Sequence, residues 1–299
     1  MKNTGTHEEL QKELQQNAEY HRLEIQRLIF SALQQLQEPV DVAVFGTGHW
    51  TDIDLVQLAA YTNKVDYYDM GNTGSQAAVQ NITGTLAHKI SLKTNVDFIG
   101  LERMNFMGTL MEMLEKKADI GRLSNYLLDA YGQFEKAEPE AGKPQYDLVI
   151  SSPVYTQLFF IDALLTLAPY LEQYDKPGMN LISQQLSSVY ARCVQAYNRL
   201  LFGSVKPGGR VVLWTDIIKL DEQTQSVMDE MYMARTEKDR VRSLFGAFGQ
   251  YGLPGAVAGI KDAFDRLLPE KTHFNTWLWP LSQDKQYLAA GMFGEPRKL

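Results

Sequence analysis

Short apolar runs alternate with amphipathic stretches along most of this chain. Val40–Phe45 is largely apolar on successive positions and ends in Gly46. Such a run suits a strand covered on both faces, as in a parallel sheet. Thr51–Tyr61 follows with helical spacing through Ile53, Leu55, Val56 and Leu58. Val65–Tyr68 reads as a second strand ending at Asp69, residues 75–90 as a weakly apolar helix, and Val96–Ile99 as a third strand. Residues 106–136 carry Met107, Leu110, Met111, Leu114, Leu123, Tyr126 and Leu127 at helix spacing. Tyr146–Ser151 is a fourth strand, 156–173 and 181–204 are helices, Lys206–Gly209 is a tight turn and Arg210–Thr215 is a fifth strand. Five repeats of strand then helix predict βαβ units with right-handed crossovers in a doubly wound α/β sheet.

The two ends depart from this rhythm. Residues 7–37 place Leu23, Ile25, Leu28, Ile29, Leu33 and Leu36 mostly three and four apart, and Pro39 stops the helix. The chain thus divides into a helical extension, 1–39, and one α/β domain, 40–299. The extension reads as a cap on the core or as a flap over a ligand. Residues 221–270 form an insertion, charged at first, then rich in glycine (Gly246, Gly249, Gly252, Gly255, Gly259). The glycines predict an irregular, mobile segment. It reads as a lid over a substrate, with a helical decoration or a homodimer contact as alternatives. Thr272–Leu281 and Gln286–Phe293 read as two strands joined by a link short enough for an antiparallel hairpin. Their aromatic residues Phe274, Trp277 and Trp279 read as core.

Composition narrows the function classes. The 299 residues carry 29 Lys and Arg against 36 Asp and Glu, a net charge of −7. That balance argues against a nucleic-acid partner, whose phosphates need a positive field. The single cysteine, Cys193, excludes a Cys-rich cluster and reads as a small buried residue. No metal constellation stands out among the five histidines. The polar start and the lack of an 18-residue apolar window predict a cytoplasmic protein without a membrane segment.

Two places carry candidate chemistry. Phe45-Gly46-Thr47-Gly48-His49-Trp50-Thr51-Asp52 falls where the first strand meets the first helix. Glycines there let the backbone turn and approach a ligand, and the helix start offers free N–H groups. Asp69, 21 residues after Gly48, ends the second strand, where a carboxylate can take both hydroxyls of a ribose. Asp66 starts that strand, on the far edge. The third glycine position of a dinucleotide fingerprint is Thr51, and no Gly-Lys-Ser/Thr P-loop exists, so NAD and ATP cradles fit poorly. Asp147 starts the fourth strand and reads as structural. Asp216 ends the fifth, where it either orients an acceptor amine or caps the next helix.

Taken in order, Val44–Gly48, Asp69, Tyr146–Ser152 and Val205–Leu213 (V-K-P-G-G-R-V-V-L) resemble the class I S-adenosylmethionine-dependent methyltransferases. The terminal hairpin matches too, since that family's sheet ends in an antiparallel sixth and seventh strand. The resemblance spans about residues 40–220 and 272–294. It implies a Rossmann-like, mostly parallel seven-stranded sheet, with S-adenosylmethionine as cofactor and S-adenosylhomocysteine as product. It implies that Phe45, Gly46, Thr47 and Gly48 line the methionine part and ribose. Asp69 would hold the ribose hydroxyls, Met70, Asp97 and Phe98 would flank the adenine, and Ser151 and Ser152 would face the methyl group. Ser152, Tyr155 and His49 are the catalytic candidates, and the acceptor would be a small molecule, its O, N or C atom left open. Trp50 departs from the family's frequent third glycine. Ser151-Ser152-Pro153-Val154 departs from the Asn/Asp-Pro-Pro-aromatic pattern of its nucleic-acid and protein-amide branches. A methyltransferase-like scaffold without turnover, or an aminopropyl-type transferase, are the alternatives.

Overall fold

The computed structural model describes residues 7–46, 52–71, 86–136, 145–224, 226, 229, 233, 237–282 and 285–297. A seven-stranded sheet organises them, in the order β3-β2-β1-β4-β5-β7-β6. Its strands are β1 (Asp41–Gly46), β2 (Lys64–Asp69), β3 (Ile90–Lys93), β4 (Tyr146–Ser151), β5 (Val205–Leu220), β6 (His273–Ser282) and β7 (Lys285–Gly294). The first five pair in parallel; β7 runs antiparallel between β5 and β6.

Apolar residues on both faces of the strands dictate two layers of cover. On one face α1 (His7–Leu33) lays Ile25, Leu28, Ile29 and Ala32 against Val212, Trp214, Trp277 and Phe293. The N-terminal helix is therefore part of the core. α2 (Leu55–Ala60) shares this face; the Asp54 carboxylate caps it by accepting from the Gln57 amide. On the other face lie α3 (Phe106–Glu115), α4 (Ile120–Lys136), α5 (Phe160–Leu167) and α6 (Lys176–Gly203). α7 (Glu237–Tyr251) and α8 (Pro254–Arg266) complete it.

Four expectations need correction. The third strand is Ile90–Lys93, not Val96–Ile99. Residues 96–99 are apolar because Phe98 and Ile99 enter the core, but their backbone is diverted. The two carboxylate oxygens of Asp97 accept from the amides of Gly100, Leu101, Glu102 and Arg103 at 2.8–3.0 Å, competing with a ladder. The expected helix 106–136 is two helices, split where Lys117 takes φ +53° and Asp119 accepts from the Arg122 amide to start α4. Lys206–Gly209 is an irregularity within a β5 that is longer at both ends than expected, between the pairs Tyr146–Val205 and Leu148–Arg210. Gly208 there has φ +82°, and a Cβ on Gly209 would lie 2.6 Å from the Asp147 carbonyl oxygen. Finally, the glycine-rich insertion is helical rather than irregular: Gly246 and Gly249 lie in α7, and Gly255 and Gly259 in α8. The expected helix 75–90 lies mostly outside the described residues; Ala87–Lys89 is a 3-10 turn that leads into β3.

The edge of the sheet where the parallel strands begin is structural. Asp147 accepts from the Asp41 amide and from Lys206 Nζ, both at 2.9 Å. Asp66 is buried and accepts from Lys64 Nζ and from the Tyr146 hydroxyl, each at 2.7 Å. Burial, the hydroxyl of Tyr68 and Asp66 hold the Tyr146 phenol far above its ordinary pKa, so it donates as a neutral group. Asp66→Ala is expected to destabilise the fold by about 1–3 kcal/mol by stranding these donors. Urea unfolding checks it.

Candidate functional site

The sheet order reverses between β1 and β4, and the crevice outside the carboxyl ends of strands at such a point is where open α/β sheets take ligands. Three strand ends meet there. Gly46 pairs with Asp69 across β1 and β2, and Phe45 pairs with Ser151 across β1 and β4. The Ser152 amide donates to the Phe45 carbonyl at 2.9 Å, and the Met70 amide to the Gly46 carbonyl at 3.2 Å.

Gly46 has a packing reason. A Cβ there would run into the Tyr67 hydroxyl and come within 2.9 Å of Ser152 Oγ. Tyr67, which sequence reasoning passed over as a strand residue, thus sits under the turn. Burial, then the charges of Asp69 and Asp52, raise its phenol well above its ordinary pKa, so it keeps its proton at neutral pH.

Asp69 is fully buried. Its Oδ1 accepts from the Gly71 amide at 2.8 Å, while Oδ2 finds no donor among the described residues. A buried carboxylate oxygen without a partner is costly and calls for an explanation. A pair of ligand hydroxyls supplies one, so the residues present fit the ribose of the implied cofactor.

Beside Asp69 a cavity of about 260 Å³ opens. Met70, Val96, Leu101, Phe106 and Leu158 give it apolar walls, and Asp97, Glu102 and Asp162 give it carboxylates. Met70 and Asp97 therefore line one hollow. Glu102 and Asp162 were missed, because nothing local marks them. Phe45 and Phe98 point into the core instead: Phe45 stacks on Tyr68 at 4.9 Å, and Phe98 lies against Phe45 and Tyr197. They support the crevice from behind.

The candidate catalytic residues divide. Ser152 has its Oγ beside Gly46, at the crevice. Ser151 Oγ shares a 2.8 Å hydrogen bond with the buried Tyr197 hydroxyl. The Tyr155 hydroxyl is turned away: it donates to Asn198 Oδ1 at 2.6 Å, and burial raises its pKa far above the ordinary value. Asn198 in turn donates to the Gly259 carbonyl and to Asp262, tying the 155–157 turn to α6 and α8. Thr47, Gly48, His49 and Trp50 lie outside the described residues.

Five strands in parallel order 3-2-1-4-5, closed by an antiparallel seventh and then the sixth, are the arrangement that the resemblance implies. The chain has a Rossmann-like fold with the strand order of the class I methyltransferases. No family model matches it, and no curated protein matches its sequence. Solved structures similar to it include the YcgJ protein of Bacillus subtilis, at 9% identity over 93% of this chain and 100% of that one, TM-score 0.43. They also include N-methyltransferase NodS of Bradyrhizobium japonicum (12% identity, 92% and 96% covered, TM-score 0.38). A third is a SAM-dependent methyltransferase of Methanosarcina mazei (12%, 88% and 95%, TM-score 0.39). Likeness at this level leaves the fold resting on the strand order, and the function on the site. Among the described residues no helix is long and apolar enough to cross a membrane.

Proposed function

We propose that the protein binds S-adenosylmethionine at the carboxyl ends of β1, β2 and β4 and transfers its methyl group to a small-molecule acceptor. The observation that carries this reading is Asp69 Oδ2, buried at the switch point without a donor among the described residues. In this reading Asp69 holds the ribose hydroxyls, Met70 and Asp97 bound the adenine hollow, and Gly46 leaves room for the methionine end. When bound, the sulfonium supplies an electrophilic methyl group. The task left to the chain is to align an acceptor and to keep water out, which needs positioning more than acid or base groups. Ser152, at the mouth, serves that positioning.

Calorimetric titration with S-adenosylhomocysteine tests the reading, with NAD, ATP and decarboxylated S-adenosylmethionine alongside. Micromolar binding of S-adenosylhomocysteine and none of NAD or ATP is the expected outcome. No binding of S-adenosylhomocysteine overturns it, and a clear preference for the decarboxylated compound shifts the chemistry to aminopropyl transfer.

A further inference from the structure

The hollow that Met70 and Asp97 line is walled by a segment tied to the end of β2. The Val96 amide donates to the Asp69 carbonyl at 2.9 Å. The chain then turns through Gly100, at φ +82°, and four successive amides close on one side chain. Asp97 Oδ1 accepts from Gly100 and Leu101 at 2.8 and 2.9 Å, and Oδ2 accepts from Glu102 and Arg103, both at 3.0 Å. Consecutive backbone N–H groups that converge in this way form an anion-binding nest. Here the chain supplies the anion itself.

An ionised carboxylate offers about four lone-pair sites. Four amides fill them, so Asp97 keeps no acceptor for an amine on a ligand. The deeper lining of the hollow offers no replacement: Met70, Val96, Leu101, Phe106 and Leu158 are apolar. Leu101 belongs to the nest, and the Phe106 amide that opens α3 donates to its carbonyl at 3.1 Å, so this wall is continuous with the Asp97 anchor. Glu102, Asn105 and Asp162 also line the hollow, but all three are exposed. A hydrogen bond made there replaces one to water and adds little net affinity.

We propose that Asp97 is a positioning residue, which holds the wall of residues 100–106 around the base, and that this wall takes a purine by shape and apolar contact without reading its C6 substituent. The hollow then accepts a 6-oxopurine nucleoside nearly as well as a 6-aminopurine one. This inference rests on the methyl-transfer reading, which places the base there. A site discriminates strongly between such ligands only where the wrong one leaves a buried polar group unpaired. Asp97 stays paired with its four amides whichever purine is bound.

The test compares S-adenosylhomocysteine with S-inosylhomocysteine, in which a C6 carbonyl replaces the amine, by calorimetry on the full chain. The two are expected to bind within about fivefold of each other. Asp97→Asn keeps one acceptor oxygen but turns an NH2 donor on two of the amides. It should weaken both ligands by at least about fivefold with their ratio unchanged, and thermal unfolding reports that the variant folds. In the ligand-free wild type the amides of residues 100–103 should exchange with deuterated solvent at least about tenfold more slowly than in an unstructured chain. Should Asp97→Asn not fold, the two wild-type measurements decide. A larger preference for S-adenosylhomocysteine, a ratio that shifts in Asp97→Asn, wild-type affinity in that variant, or unprotected amides in the wild type overturns the inference alone. Binding of neither ligand to the wild type overturns the methyl-transfer reading.

Discussion

Asp69→Ala is expected to weaken S-adenosylhomocysteine binding by about 10- to 100-fold, the loss of roughly 1.5–3 kcal/mol of charge-assisted hydrogen bonding. The ligand-free protein should respond in the opposite direction. Asp69 is fully buried and its Oδ2 has no donor among the described residues, so truncation removes a desolvated charge together with a single bond from the Gly71 amide. Its melting temperature should stay level or rise, while the rise caused by S-adenosylhomocysteine shrinks. A merely structural aspartate gives the reverse: a lower melting temperature with unchanged affinity. Asp66, three residues earlier and nearly as buried, is that structural case: its Oδ2 accepts from Lys64 and Tyr146 at the edge where the strands begin, although its Oδ1 too has no donor among the described residues. Running the two variants side by side in calorimetry and thermal unfolding separates the roles.

Gly255→Ala and Gly259→Ala should each destabilise the protein by about 1–3 kcal/mol, the usual effect of overpacking a filled core. A Cβ on Gly259 would lie 2.6 Å from the Tyr155 ring, and one on Gly255 would strike the Tyr190 ring. Neither ring is at liberty to swing. Tyr155 donates to Asn198, and Tyr190 donates to the Tyr155 carbonyl. S-adenosylhomocysteine affinity should stay unchanged in both variants. Gly246→Ala is the contrasting case. It sits in α7 with nothing within 4 Å of its would-be Cβ, so alanine should stabilise by up to about 1 kcal/mol through helix propensity. Urea denaturation of the three variants checks both signs.

These glycines show where sequence reasoning stops. Five glycines in fourteen residues read locally as irregular backbone, yet two are spaces for tyrosine rings 65 and 104 residues away in the chain. Nothing in their own neighbourhood distinguishes the crowded pair from the open pair. The third strand failed for a related reason. Residues 96–99 and 90–93 are both short and partly apolar, and the decision fell to Asp97, whose carboxylate engages four amides.

The sequence by itself determined the alternation of strands and helices, the boundaries of β4, the terminal hairpin, and the placing of Gly46 and Asp69 at strand ends. Those features follow from local rules: successive apolar positions for strands buried on both faces, and a glycine or a carboxylate where a strand stops. Only the tertiary structure decided which polar atoms are satisfied. It turned the Tyr155 hydroxyl to Asn198, gave Asp66 Oδ2 two donors, and left Asp66 Oδ1 and Asp69 Oδ2 without one among the described residues, the first at the edge where the strands begin and the second at the switch point. It also set the Trp277 indole N–H against His21 Nδ1, 256 residues away in sequence. Hydrogen-bond satisfaction and burial are properties of three-dimensional neighbours, and in a sheet of this order those neighbours come from strands and helices far apart in the chain.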